Sequence, residues 1–243
     1  ALRRCMAEKD FGAASERVLI EEFLEGQEVS VFSFVDGEYV SPIVAACDYK
    51  RVGDNDVGPN TGGMGSFSPP RVWTEKLDGR VRKEVMEPVA KALVAEGSPY
   101  RGLLYAGLIL TADGIRVLEF NCRLGDPETQ VILPRLKSDL AAVMIGTAQG
   151  RLDEVAIEWA LSACVGVVVA SGGYPGSYPT GHPISGMDEL DDDVTVFHAG
   201  TRGEDARIVT DGGRVLTVVS LGESLAEARR RVYANVGKVR FEG

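Results

Sequence analysis

The sequence predicts an α+β (α/β) protein built on an antiparallel sheet, and three observations predict it. Hairpin signals at Asp36-Gly37 and Thr111-Ala112-Asp113-Gly114 each join two strand-like runs. Helical spacing is confined to a few segments, the clearest carrying Leu77, Val81, Val85, Val89 and Leu93 at four-residue intervals. From about Trp159 onward, short β-like runs alternate with Gly, Pro and Asp turns before one closing helix.

The elements follow in order. Residues 1–17 are polar and helix-compatible around Leu2, Cys5 and Met6. Val18-Leu19-Ile20-Glu21-Glu22-Phe23-Leu24 reads as a strand, and Glu25-Gly26 supplies a turn. Val29 to Val35 and Tyr39 to Ala46 read as the next two strands, so the chain opens as an antiparallel meander. Residues 48–70 keep no periodicity and read as an ordered loop. Thr74 to about Glu96 is helical, and Pro88 kinks or divides it. Leu103–Leu110 and Ile115–Asn121 are strands, followed by a polar loop from Cys122 to Gln130. Ser138 is the expected N-cap of a helix that runs to about Gln149 and stops at Gly150. Val165–Ala170, Val194–Phe197 and Val215–Val219 read as strands, and Ser224-Leu225-Ala226-Glu227 is a capping box that opens the last helix. A composition shift places a domain boundary near residues 151–160, giving an expected division into 1–155 and a small β-rich domain at 156–243.

Composition narrows the function. The 36 acidic residues outnumber the 26 basic ones, for a net charge of −10, which argues against a nucleic-acid partner. A local cluster of cations and backbone N–H groups can still hold a small anion. No apolar run approaches the ~20 residues that span a bilayer, and no signal peptide opens the chain, so a cytoplasmic protein without a membrane partner is expected. The cysteines Cys5, Cys47, Cys122 and Cys164 lack metal-ligand spacing and read as free thiols. His182 and His198 have no nucleophile beside them, so a hydrolase triad has no support.

Three segments carry chemistry. In Val117-Leu118-Glu119-Phe120-Asn121, strand alternation puts Glu119 and Asn121 on one face, with Leu118 and Phe120 on the other. A carboxylate and an amide oxygen together suit a hard divalent cation such as Mg²⁺; the alternative is an exposed polar strand face. The continuation Arg123-Leu124-Gly125-Asp126-Pro127-Glu128 favours the ligand reading, because Arg123 can clamp a carboxylate or phosphate in bidentate fashion. Arg123 and Asp126 as a mutual surface ion pair is the bland alternative. Gly62, Gly63 and Gly65 form a glycine loop whose N–H groups could face an anion, with Lys50 and Arg51 upstream to supply charge. That loop is neither a P-loop nor a dinucleotide fingerprint, and glycine-rich turns are often only turns. Glu21-Glu22-Phe23-Leu24, with Glu28 beyond it, could line an adenine slot and take ribose hydroxyls; a hairpin with solvated acids is the alternative.

Taken together, these stretches resemble the ATP-grasp ligases, and among them the phosphoribosylamine–glycine ligase (glycinamide ribonucleotide synthetase) family. The resemblance is carried by VLIEEFLEGQEVS, DYKRVGDNDVGPNTGGMGSFSP, YRGLLYAGLILTADGIRVLEFNCRLGDPETQ, LPRLKSDL, GVVVASGGYPGSYPTG, VFHAGT and TDGGRVLTVVSLG, in order along nearly the whole chain. It implies a partial ATP-grasp fold, an antiparallel sheet with flanking helices, plus the small β-rich C-terminal domain. It also implies ligation of glycine to 5-phosphoribosylamine through glycyl phosphate, driven by ATP with Mg²⁺ or Mn²⁺, in purine synthesis. By motif, Glu119 and Asn121 would hold the metal. Glu21, Glu22, Phe23, Leu24 and Glu28 would border the nucleoside. Lys50, Arg51, Gly62, Gly63 and Gly65 would lie at the phosphates, and Arg123 and Asp126 at glycine and phosphoribosylamine. A monomer, or a weak dimer, is expected.

Three departures accompany the resemblance. No segment matches the family's glycine-rich opening domain, only the tail of the ATP lid is expected around residues 1–17, and Tyr105-Ala106-Gly107-Leu108 lacks the further metal carboxylate that many ATP-grasp relatives carry. The chain thus resembles the C-terminal portion of such an enzyme and is expected to be impaired alone. The alternatives are another ATP-grasp carboxylate–amine ligase and a nonenzymatic nucleotide-binding module.

Overall fold

Nine of the thirteen strands among the described residues join one antiparallel sheet, and the order of those strands decides where its chemistry can sit. The computed structural model describes residues 2–55 and 57–242. Single turns of π-helix and 3₁₀-helix at Arg3–Ala7 and Gly12–Glu16 lead into residues 17–26, which form neither helix nor strand. This corrects the strand expected over 18–24. A strand needs a ladder partner, and here Leu19, Ile20 and Phe23 stand in solvent at 80, 75 and 85% exposure.

The sheet begins with β1 (Gln27–Asp36), which turns at Gly37 into β2 (Tyr39–Val40). The third expected strand is divided: β2 stops before Pro42, which has no N–H to give, and β3 (Val44–Asp48) resumes against β1. Residues 48–70 are more regular than their pattern suggests. A side hairpin pairs β4 (Arg51–Gly53) with β5 (Val57–Asn60), and β6 (Gly65–Ser68) enters the main sheet beside β3.

Thr74 caps α1 (Glu75–Val81), accepting from Leu77 N, and α2 (Glu87–Ala95) continues the same helix after a π-helical turn at Arg82–Met86. Pro88, without an N–H for the carbonyl one turn back, explains the wider turn just before it. Strands β7 (Arg101–Thr111) and β8 (Gly114–Asn121) form the expected hairpin, with β8 at the sheet's edge. The loop after β8 ends in α3 (Thr129–Ile132). Asp139, not Ser138, caps α4 (Leu140–Gln149), accepting from Ala141 N and Ala142 N; the Ser138 hydroxyl instead accepts from Glu158 N. Gly150, at φ 73°, ends α4 in the left-handed conformation that glycine tolerates best.

Strand β9 (Ala163–Ala170) returns to the main sheet beside β6. After β10 (Val194–His198) come the small hairpin β11 (Thr201–Glu204) and β12 (Arg207–Thr210), then β13 (Arg214–Gly222), and finally α5 (Leu225–Val236). Ser224 accepts from Glu227 N as a capping box requires, but the Glu227 carboxylate reaches Glu223 N. His198 ends its strand on Thr201 Oγ1 at 3.1 Å, a structural role.

The strand order is β10-β13-β9-β6-β3-β1-β7-β8, so the sheet runs unbroken from the C-terminal strands to the edge strand β8. One face packs Val29, Val31, Val35, Leu104, Ala106 and Leu108 against Val81, Val85, Met86 and Ala90 of the kinked helix. The other buries Phe32, Val44, Ala46 and Tyr105 against Val131 and Ile132 of α3, with Cys164 and Val219. Each large apolar side chain so buried contributes about 1.5–3 kcal/mol. No helix of the described residues is long and apolar enough to cross a membrane. The four cysteines are free thiols.

Candidate active site

The second face of the sheet loses its apolar cover toward the ends of β1, β7 and β8, and polar side chains gather there. Register explains which ones. Ser30 lies opposite Gly107, which lies opposite Glu119; one row away, Phe32, Tyr105 and Asn121 line up the same way. Glu119 and Asn121 therefore share a face, and Asn121 Nδ2 donates to Glu119 Oε1 at 3.0 Å. Gly107 matters because a Cβ there would come within 3.3 Å of Glu119 Cγ. Leu118 departs from the expected alternation. A bulge between the Gly107–Glu119 and Leu108–Val117 pairs leaves it unpaired, and it lines the cleft beside Glu119.

That cleft, of about 370 Å³, brings together Glu21, Glu28, Lys50 and Glu119 over a floor of Ser30, Tyr105 and Gly107. A larger one of about 720 Å³ adjoins it through Glu28, Lys50 and Asn60 and carries Asp48 and Arg51. Lys50 Nζ is bound to the Glu28 carboxylate. Burial opposes the Lys50 charge, but the hydrogen bond it donates to Glu28 and the carboxylates of Asp48, Glu28 and Glu128 outweigh it and raise its pKa. Arg51 is tied to the Gly58 carbonyl at 2.7 Å across the side hairpin. Glu22, Phe23 and Leu24 line neither cleft, and Phe23 is open to solvent.

The glycine loop departs from the picture of free amides aimed at an anion. Gly62 N donates to Tyr174 Oη and Gly63 N to Thr61 Oγ1, both at 2.9 Å. These glycines are needed for close approach. A Cβ would lie 2.9 Å from Arg214 Cζ at Gly62 and 2.4 Å from Pro127 Cδ at Gly63, where φ is +113°. Gly65 lets β6 approach β9, since its Cβ would meet Gly166 O at 2.7 Å. Nor do Arg123 and Asp126 pair with each other. Asp126 Oδ2 accepts from Arg214 at 2.8 Å and Oδ1 from Gln130 Nε2 at 2.9 Å. Arg123 is exposed, donates only to the Leu124 carbonyl, and has no carboxylate partner among the described residues.

Four groups that sequence reasoning left out of the site complete it. Glu128 is 4% exposed and accepts from Ser30 Oγ at 2.9 Å and Tyr105 Oη at 3.1 Å. Burial and the neighbouring Glu128 charge push the Asp48 carboxyl up to about 6, against a smaller pull from Lys50. Burial and Glu128 likewise raise the Tyr105 phenol. The fourth is Arg214, at the start of β13 and next to Gly62 and Asp126 only in three dimensions. Its signal was the Gly-Gly-Arg of a stretch that otherwise reads as a turn before a strand.

Among the described residues no cluster of three or more His, Cys, Asp or Glu is placed to hold a metal. The pair Glu119 and Asn121 still fits one kind of ion. Mg²⁺ commonly takes one or two protein oxygens and fills its remaining positions with phosphate oxygens and water.

Comparison with known proteins identifies the family and the fold. A family model described as phosphoribosylglycinamide synthetase, ATP-grasp (A) domain, matches residues 1–129, and one described as the C domain of the same synthetase matches residues 164–243. Over its full length the chain is 49% identical to a phosphoribosylamine–glycine ligase of Halalkalibacterium halodurans and 48% identical to one of Salmonella typhimurium, covering 56% and 57% of them. The chain thus spans a little over half the length of the curated relatives it matches. The crystal structure of phosphoribosylamine–glycine ligase from Thermotoga maritima superposes with a TM-score of 0.81 at 37% identity, over 92% of this chain and 55% of that one. A biotin carboxylase domain of a thermophilic 2-oxoglutarate carboxylase, at 15% identity and TM-score 0.62, shares the fold; it covers 92% of this chain and 48% of that one.

Proposed function

The chain belongs to the phosphoribosylglycinamide synthetase family, and from that premise we propose that it carries the nucleotide–metal centre of an ATP-dependent ligase joining glycine to 5-phosphoribosylamine. The observation that carries this reading is the meeting of Glu21, Glu28, Lys50 and Glu119 in one cleft, with Asn121 bonded to Glu119. On this reading the substrates are soluble small molecules handled in the cytoplasm.

Each residue has a task. Glu119 and Asn121 would hold Mg²⁺, which supplies charge neutralisation at the ATP phosphates. Glu28 takes the ribose hydroxyls, and in doing so releases Lys50 to meet phosphate oxygens. Glu21 borders the base, and Arg51 adds positive charge at the rim. Arg123, with no carboxylate partner among the described residues, takes the glycine carboxylate in its planar fork and presents it for phosphorylation. Attack of the phosphoribosylamine nitrogen on the acyl phosphate then expels phosphate. The protein's contribution is to align the amine and to keep water away from the activated glycine.

The test has two arms. Mg²⁺-dependent ATP binding to this chain, measured by calorimetry, is expected, with loss in Glu119→Gln. Phosphate release that requires glycine and phosphoribosylamine together is expected from the chain joined to the remaining length of a relative. Metal-independent nucleotide binding, or release indifferent to glycine, would overturn the reading.

A further inference from the structure

We propose that Arg214 is a positioning residue that fixes Lys50, Arg123 and Asp126 relative to one another from the C-terminal part of the chain. The functional half of this inference rests on the ligase reading above; its geometric half does not.

The Arg214 side chain is mostly covered, 22% exposed, and it joins three separate segments. Its Nη1 donates to Gly62 O at 2.7 Å and Asp126 O at 2.9 Å, with a longer contact to Gly63 O at 3.5 Å. Its Nη2 donates to Asp126 Oδ2 at 2.8 Å. A lysine, with one compact ammonium, cannot span a loop carbonyl on one side and a carboxylate with its own backbone carbonyl on the other.

The links continue into the site. Thr61, next to Gly62, donates both its N–H and its hydroxyl to Lys50 O, at 2.7 and 2.9 Å. Holding Gly62 therefore holds the backbone from which Lys50 reaches Glu28. On the other side, Asp126 closes the loop that carries Arg123, and Gln130 secures its second oxygen. Tyr174, also from the C-terminal part, accepts from Gly62 N at 2.9 Å, so the loop is gripped at both its carbonyl and its amide. Gly213 permits this, because a Cβ there would lie 2.2 Å from Tyr174 Cδ2. With both Asp126 oxygens engaged by protein donors, its role shifts from free substrate ligand to an anchor that sets Arg123.

Arg214→Met keeps the aliphatic stem and removes the fork; Arg214→Lys keeps the charge; Arg214→Ala leaves room for an added guanidinium ion. Hydrogen exchange on the chain itself reads the geometry. In Arg214→Met, the amides of residues 61–64, and that of Thr129, which donates to Gly125 O in the Asp126 loop, are expected to lose protection while β1 and β7 keep theirs. Unchanged protection at both loops would overturn the proposal whatever the activity. Kinetics of the protein completed with the remaining length of a relative read the function. A loss of about 10²-fold in kcat/KM for glycine and amine is expected for Arg214→Met and Arg214→Lys, with KM for ATP rising as well because Lys50 is placed at the phosphates. Partial recovery of Arg214→Ala by guanidinium at non-denaturing concentration, but not by ammonium, is also expected. A lower melting temperature with kcat and every KM unchanged would reduce Arg214 to a brace and overturn its positioning role. An unsubstituted protein without glycine-dependent turnover would overturn the ligase reading and leave the exchange result standing.

Discussion

Replacing Asp48 with Asn is expected to stabilise the protein at neutral and alkaline pH and to do nothing in acid. Asp48 ends β3 in a partly buried position, and burial, with Glu128 as the strongest adverse charge, pushes its pKa up to about 6 from 3.8. The sign follows from proton counting. Between pH 3.8 and about 6 the folded protein holds the Asp48 proton while the unfolded chain has released it. Stability from this group therefore falls as pH rises through that window, by about 3 kcal/mol in all. Above pH 6 the full cost is present; below 3.8 it is gone. Asn carries no charge, so Asp48→Asn gains up to about 3 kcal/mol at pH 8. With a urea slope near ~3 kcal/mol/M, that moves the unfolding midpoint up by about 1 M. Urea titrations of both proteins at steps from pH 4 to pH 8 provide the assay. Removing the neighbouring charge with Glu128→Gln is expected to draw the Asp48 titration toward 3.8 and shrink the difference. Lys50 and Glu28, which also face Asp48, stay in place in both proteins and act as a common background. A midpoint difference that is flat from pH 4 to pH 8, or an Asn protein less stable at pH 8, would refute the reasoning.

Three other outcomes follow from the same structure. Glu119→Gln, on an exposed edge strand, is expected to change stability by less than about 0.5 kcal/mol while weakening Mg²⁺–nucleotide binding by about 1.5–3 kcal/mol, the usual worth of a contact to a charged group; parallel calorimetry and urea unfolding separate the two. Gly63→Ala puts a Cβ 2.4 Å from Pro127 Cδ at a φ of +113°, so a loss of at least about 1–3 kcal/mol by thermal or urea unfolding is expected. Phe32→Ala removes a fully buried ring packed 4.6 Å from the Tyr105 ring and is expected to cost about 3–5 kcal/mol, with loosening of Tyr105 and Glu128 visible in side-chain NMR.

The parts of the fold legible in the sequence are those fixed by near neighbours. The hairpin between β7 and β8 is set by the turn residues Ala112-Asp113 and a Gly114 at φ +128°. The π-helical turn before Pro88 follows from one missing N–H. Strand β9 was readable as a short apolar run because it is covered on both faces, by α3 and by α5. What misled was a pattern without its partner. Residues 18–24 have strand composition, but ladder hydrogen bonds are made by two strands, and no described strand lies alongside. Residues 51–68 show the reverse: β6 is Gly-Ser-Phe-Ser, with little strand signal, yet it is held between β3 and β9 because glycine lets the neighbouring backbone come close.

The candidate site divides along the same line. Glu119 and Asn121 were readable as a pair because alternation along one strand is a local rule, and the Leu118 bulge, set by pairing with β7, is where that rule gave way. Arg214 and Asp126 lie 88 residues apart, and nothing local in either announces the other. Their pairing also explains why a glycine loop can resemble an anion cradle without being one. Close packing and anion binding impose the same demand on sequence, a backbone stripped of Cβ atoms. Only the partners tell them apart: Tyr174 and Thr61 already hold the Gly62 and Gly63 amides, so the proposed reading takes the charge that would meet phosphate from side chains, which makes Lys50, and the contacts that fix its backbone, the more decisive part of the proposed site.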